Sequence, residues 1–461
     1  MNNELDHIID SLREPMLSTL TDWLKIPSVK GEASDGAPFG APLRRMLDTA
    51  LSDCEDLGFR TLNADGYIGH AEMGEGADED ALAILVHLDV VPPGDGWTCD
   101  PFGAQLTDGK LYARGASDNK GPAAAALYAM YAVKQLGIPL RRKVRLILGC
   151  DEESGWQDIE HYKKTVCMPR SGFSPDAGYP VINVEKGMAV LHLKAPAPTD
   201  GLKVVSFNTG ERRNVVPGSA EALVEGGEEL ARLAKEVGSR YDWPVEATAS
   251  SGTVRIKTTG ITGHAAYPEH ARNAIGQMLI ILTELGAQGP YRTLRNAIGL
   301  EYHGQSLGIA VEDSISGKLT NNLGIIRADA DNIFSVLDLR CPLMTRTDML
   351  ARLAGQHLPG FSVSLASFKE PHFVPAQSHL VTALLDAYHE VTRLEKGTMA
   401  IGGGTYARAL AEGVAFGALF PNEEDIAHQA DEYVRPDSLH QSMRIFARAI
   451  IKLAGVKQEA S

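Results

Sequence analysis

The sequence predicts an α/β fold: a discontinuous domain with a mixed, mainly parallel sheet flanked by helices, interrupted by an inserted α+β domain with antiparallel sheets. Three observations carry this expectation. Residues 81–86 and 144–149 are continuous apolar runs, the pattern of strands buried on both faces. Residues 252–257 and 334–340 instead alternate apolar and polar side chains, as half-exposed antiparallel strands do. After about residue 380 the first texture returns, which places a second domain inside the first.

Taken in order, residues 1–186 alternate strands and helices and form the first part of the larger domain. Gly121-Pro122 and the alanine-rich run behind it read as a buried helix, since proline is tolerated in the first turn, where its missing N–H has no partner to lose. Residues 187–380 form the insertion, with a helix expected over 274–285 between its alternating strands. Residues 381–461 complete the larger domain: a helix from 379 to 394, a glycine loop at 402–404, an apolar segment at 414–420 and a terminal helix over 438–454. A chain of 461 residues is too long for one ordinary core, which agrees with two domains.

Composition narrows the function class. Hydrophobic residues make up 44% and charged residues 22%, a globular balance. The formal net charge of −15 and the lack of a basic stripe disfavour a nucleic-acid partner, because neutralising phosphates takes clustered Lys and Arg. The acidic start has no apolar export core and no apolar run reaches the ~20 residues that span a bilayer, so a cytoplasmic protein without a membrane partner is expected. The cysteines at 54, 99, 150, 167 and 341 are odd in number and include no Cys-x-x-Cys, so neither a disulfide framework nor a thiolate metal site is indicated.

The chemistry-bearing residues sit at strand ends. The first apolar run delivers His87 and Asp89, and the second delivers Asp151, Glu152 and Glu153. Asp118 precedes the proline-opened helix, close to its positive end, and Asp176 and His428 extend the alternation of carboxylate and imidazole. Each motif alone has a blander reading, a chance strand-loop junction or a solvated acidic turn. Two parallel strands ending in ligand chemistry point instead to one shared site, because ligands in open α/β sheets gather outside the carboxyl ends of the strands. Imidazole and carboxylate together suit a borderline divalent cation, so a hydrolytic metal site is expected.

In this order, Leu88-Asp89-Val90-Val91-Pro92, Arg114 to Pro122, Asp151 to Trp156 and Phe173-Ser174-Pro175-Asp176 resemble the di-metal aminoacylase and carboxypeptidase superfamily. The nearest likeness is to its PepV-type dipeptidase branch, with carnosinases as more distant relatives. It extends to Glu211 to Pro217 in the insertion and Gly402 to Arg408 after it. The resemblance implies two divalent metal ions per chain, Zn²⁺ or Mn²⁺ with Co²⁺ also accommodated: one held by His87, Asp118 and Asp176, the other by Asp118, Glu153 and His428, with a cis peptide after the bridging Asp118. Asp89 matches the carboxylate that orients His87, and Glu152 the general base. PepV itself has aspartate where this chain has Asn119; carnosinase-like members have asparagine, and the ligand position is Asp118.

The expected activity is hydrolysis of the peptide bond of small unblocked dipeptides by metal-activated water, with Glu152 taking the proton and returning it to the departing amine. On the resemblance, the insertion is a lid whose His264 donates to the oxyanion. Arg340, with Asn214, Gly403 and Thr405, is expected to bind the substrate, arginine suiting a carboxylate by its two-pronged geometry. The 402–404 glycines lack the Gly-Lys-Ser/Thr of a phosphate cradle and read as close backbone approach to a small substrate. A monomer is expected, the insertion being long enough to place both halves of a doubled lid in one chain. The alternatives are an N-acyl amino acid amidohydrolase with the same metals, and a peptide-binding protein on a decayed peptidase fold.

Overall fold

The computed structural model describes residues 2–456. The chain divides into two compact units, one of residues 1–183, 373–399 and 404–461, the other of residues 184–372 and 400–403. The sequence boundaries at 186/187 and 380/381 fall a few residues later than these, and the short return of 400–403 to the second unit has no counterpart in the sequence reading.

In the first unit the strands Val144–Gly149, Leu82–His87, Ser171–Ser174 and Glu412–Ala415 are neighbours in that order, and all three pairings are parallel. Antiparallel strands flank them, Ile68–Met73 and Arg60–Ala64 on one side and Val181–Glu185 on the other. The continuous apolar runs are explained by burial on both faces. Leu82, Ile84 and Val86 enter a large core shared with the helices Ala41–Asp56, Lys120–Leu136, His379–Thr392 and Pro436–Ala454. Ala83 and Leu85 enter a second core with Ile147, Ile159, Tyr162 and Tyr406. The apolar segment expected over 414–420 is broken at Gly417, whose φ of +81° takes it out of the strand, so that Ala418–Leu419 pairs separately with Ala177–Gly178.

The second unit holds one eight-stranded sheet in which every pairing is antiparallel. Its two halves are continuous because Val204–Thr209 pairs with Thr320–Ala328, across more than a hundred residues of sequence. One face is covered by the helices Glu228–Arg240, Ala274–Glu284, Pro290–Ala297 and Leu350–Gln356, which accounts for the alternating strand pattern. Among the described residues no helix is long and apolar enough to cross a membrane.

Candidate metal centre

The metal-ligand candidates converge in the first unit at the carboxyl ends of the parallel strands. His87 is the last residue of its strand and 1% exposed. Its Nδ1 lies 2.9 Å from the main-chain oxygen of Asp89, which directs Nε2 toward Asp118 Oδ1 at 2.9 Å and Asp176 Oδ1 at 3.5 Å. His428 approaches from the other side, its Nε2 3.0 Å from Asp118 Oδ2 and 2.8 Å from Glu153 Oε1. Asp118 thus faces one imidazole with each carboxylate oxygen. The loop holding His428 gives it a φ of +65°, a conformation that side-chain-bearing residues adopt only where surroundings enforce it. The Asp118–Asn119 peptide is cis.

The surrounding bonds show how a carboxylate-rich cluster is held. The Asp89 carboxylate accepts the amides of Glu152 at 3.2 Å and Glu153 at 3.1 Å and lies with Oδ1 3.5 Å from His87 Nδ1, so Asp89 holds His87 through its carbonyl and carboxylate and the acidic turn through its carboxylate. Asn119 donates to Pro175 O at 2.7 Å and Asp176 Oδ1 at 3.2 Å, tying Asp176 to the start of the helix. Asp151, fully buried, points away from the cluster, paired with Lys30 Nζ at 2.5 Å. Asp158 accepts the amides of Cys150 and Asp151 and the Tyr406 hydroxyl.

Electrostatically the cluster demands positive charge. Burial, then the Asp176, Glu153 and Asp89 carboxylates, push Glu152 well above the usual carboxylate range against the pull of His87. Burial likewise raises Asp176 to about 7. Burial opposes the charge of Asp118, but hydrogen bonds from His428 and His87 overcome it and hold its carboxyl well below the usual range. Hydrogen bonds to Asp118 and Glu153 raise His428 to about 10. The cluster therefore gathers protons to offset its carboxylates. Two imidazoles and four carboxylates from five separate segments, with one carboxylate shared, are a donor set that fits a pair of divalent cations.

Residues 152–155 form a turn, where the strand alternation does not apply. Oxygens of both glutamates reach His87, Glu152 together with Asp176 and Glu153 together with Asp118, each trio of ligand atoms lying within 4.8 Å.

Four of the candidate substrate residues lie in the second unit and are close to one another. Val215 pairs with His264 in a short ladder, and Ala265 N donates to Asn214 O at 2.9 Å. The His264 Nδ1 accepts from Ala266 N at 3.1 Å. Arg340, 4% exposed, donates from Nε to Asp338 at 2.7 Å and from Nη1 to Gly402 O at 2.7 Å. A Cβ on Gly402 would stand 2.7 Å from Ala266 Cβ, so glycine there permits the loop to lie against the His264 segment, with Gly403 next to it. Thr405 belongs to the first unit, where its hydroxyl accepts from Ala407 N at the start of the turn Tyr406–Ala409.

Sequence reasoning missed Glu432. It is fully buried and accepts from Arg114 Nη1 at 2.6 Å, Gly115 N at 3.1 Å, Ser117 N at 2.9 Å and Asp118 N at 3.2 Å, so it clamps the loop that presents Asp118. A single glutamate more than 300 positions from its partners carries no local signal; its place four residues after His428 was the available hint.

Residues 83–452 match Peptidase family M20/M25/M40. The chain is 39% identical over 456 residues to a Bacillus subtilis protein named "Putative dipeptidase YtjP", covering 96% of this chain and 98% of that one. It is 33% identical over 469 residues to "Putative dipeptidase MW1694" of Staphylococcus aureus, covering 96% and 98%. Its fold is similar to that of human carnosine dipeptidase 1, with a TM-score of 0.60 and 16% identity over 98% of both chains. The di-peptidase Dug1p of Saccharomyces cerevisiae also has a TM-score of 0.60, with 13% identity and 98% coverage of both chains. The chain belongs to the peptidase family M20/M25/M40, the metal-dependent family that its sequence motifs resemble.

Proposed function

We propose that this peptidase is a metal-dependent dipeptidase that hydrolyses small dipeptides with free amino and carboxyl ends. The observation that carries this reading is Asp118, whose two oxygens face His87 and His428 at 2.9 and 3.0 Å, the arrangement of a carboxylate shared by two cations. The dipeptidase names of relatives at 33–39% identity, over nearly the full length of both chains, support the substrate class.

In this proposal His87, Asp118 and Asp176 would hold one ion, and Asp118, Glu153 and His428 would hold the other. Imidazole and carboxylate ligands suit Zn²⁺, Mn²⁺ and Co²⁺ alike. Bound cations acidify water and polarise the amide carbonyl. Glu152 accepts the proton of the attacking water and delivers it to the departing amine nitrogen. His264 donates to the oxyanion of the tetrahedral intermediate. Arg340, oriented by Asp338 and Gly402, binds the substrate carboxylate, and Asn214, Gly403 and Thr405 complete its recognition. The protein acts as a cytoplasmic monomer, the second unit serving as the lid of its own chain.

The test is a panel of dipeptides, their N-acetyl forms and their amides, assayed on metal-stripped protein reloaded with each ion. Free dipeptides should be cleaved, and acetylation or amidation should abolish turnover. Preference for the acetylated forms would make the protein an acylamino-acid hydrolase. No turnover with any ion would leave a binding protein. For the monomer, mixing His264→Ala with Glu152→Ala protein should restore no activity; recovery would mean that His264 serves a partner chain.

A further inference from the structure

The parallel sheet has a second charged cavity, at the end opposite to the metal centre. It is open to solvent, has a volume of about 370 Å³ and is lined by Asp80, Arg141, Arg142, Ser171, His379 and Glu412, among others. Asp80 and Arg142 stand two residues before the strands Leu82–His87 and Val144–Gly149, and Ser171 and Glu412 open the strands Ser171–Ser174 and Glu412–Ala415. The cavity therefore gathers the amino ends of the same four strands whose carboxyl ends bear or adjoin the metal cluster. A six-residue strand, about 17 Å long, separates the two.

The charges at this cavity are held but not paired. Arg141 Nη2 and Arg142 Nε both donate to the single main-chain oxygen of Leu453 at 3.0 Å, and Arg142 Nη1 donates to Ser171 Oγ at 3.2 Å and the Asp80 carbonyl at 3.4 Å. Among the described residues no ion pair within 4.0 Å joins Arg141 or Arg142 to a carboxylate, and Asp80 and Glu412 act on the Arg142 guanidinium only at longer range. Two guanidiniums fixed on one carbonyl repel each other; burial, then the Arg141 charge, hold the Arg142 guanidinium below its ordinary range against the opposing pull of Asp80 and Glu412. The helix His379–Thr392 begins at the same cavity with Ser378 as its cap, adding a favourable end for an anion. Two positive and two negative side chains, close enough to share a cavity and not joined to each other, complement a small molecule carrying both signs. The volume falls at the small end of the roughly 300–1,000 Å³ typical of ligand pockets.

We propose that this cavity is a second binding site, for the zwitterion of a free α-amino acid, its carboxylate on Arg141 and Arg142 and its ammonium on Asp80 and Glu412. The choice of an amino acid among zwitterions rests on the dipeptidase reading, whose products are amino acids; the matching of opposite charges does not.

Calorimetry on the metal-loaded full chain, with glycine, leucine, glutamate, lysine, acetate, methylamine and inorganic phosphate as probes, tests this directly. Arg141 and Glu412 are exposed, so Arg141→Gln and Glu412→Gln should fold with unchanged melting temperature and unchanged dipeptide turnover in the absence of added amino acid. Each should weaken one amino-acid binding event per chain by tenfold or more, while Glu412→Gln should not weaken acetate. The proposal is overturned if both variants bind every amino acid as the parent does, or if phosphate or acetate binds the parent as tightly as the best amino acid. Absence of dipeptide turnover in the parent would remove the dipeptidase reading while leaving the calorimetric result to stand on its own.

Discussion

The two groups of candidate residues are built differently. Around Asp118, side chains contact side chains: imidazole meets carboxylate at 2.8–3.5 Å, and the excess of carboxylates is offset by raised proton affinities. Around His264 and Arg340, side chains are anchored on the main chain and on Asp338, and glycine at 402 lets backbones approach. The first arrangement is incomplete without added positive charge. The second is complete as a frame and presents donors. On the proposed function, the first group would depend on the cations it binds, whereas the second would orient the substrate through a frame that its own hydrogen bonds already hold.

The sharpest way to break this comparison is Asp118→Ala. Removing the one carboxylate that faces both imidazoles should cost the protein both metals and more turnover than the about 10²–10⁴-fold expected for a missing general base. Metal analysis by mass spectrometry checks this; retention of two ions would end the shared-ligand assignment. In the second unit, Arg340→Ala should keep full metal content and lose about 2–5 kcal/mol of transition-state binding, because a buried charged contact is expensive to leave half made. His264→Ala should lose about 10²–10³-fold in kcat with metal and fold retained, the scale for one oxyanion donor. A silent His264→Ala would reduce that residue to part of the frame. The smallest effect belongs to Glu432→Gln, which keeps the shape of the clamp on the Asp118 loop but weakens its charge-assisted bonds; titration should show metal affinity lowered by about 10–100-fold, with kcat near normal at saturating metal.

Much of the first unit was legible because its physics is local. Burial on both faces forces continuous apolar strands, and their ends carry residue types that few structural roles require together, so His87, Asp118, Glu153 and Asp176 stood out as candidates, and the structure brings them close together. What escaped was non-local or conformational. Glu432 meets its partners across more than 300 residues of sequence. The joining of the insertion into one sheet depends on the pairing of Phe207 with Ala328 and its neighbours, which no strand pattern announces. The acidic residues 152–155 form a turn, so strand alternation does not say which way their side chains point. Lys30 holds Asp151 from a segment before the family match begins, where no catalytic motif drew attention to it.

Glu152 and Glu153 are adjacent, both reach the cluster, and the account gives them different work. The most direct test is therefore bound metal and single-turnover rate measured side by side in Glu152→Ala and Glu153→Ala. Glu152→Ala should keep two ions per chain and lose about 10²–10⁴-fold in rate, while Glu153→Ala should lose metal occupancy. Equal loss of metal in both variants, or full occupancy in Glu153→Ala, would contradict that assignment.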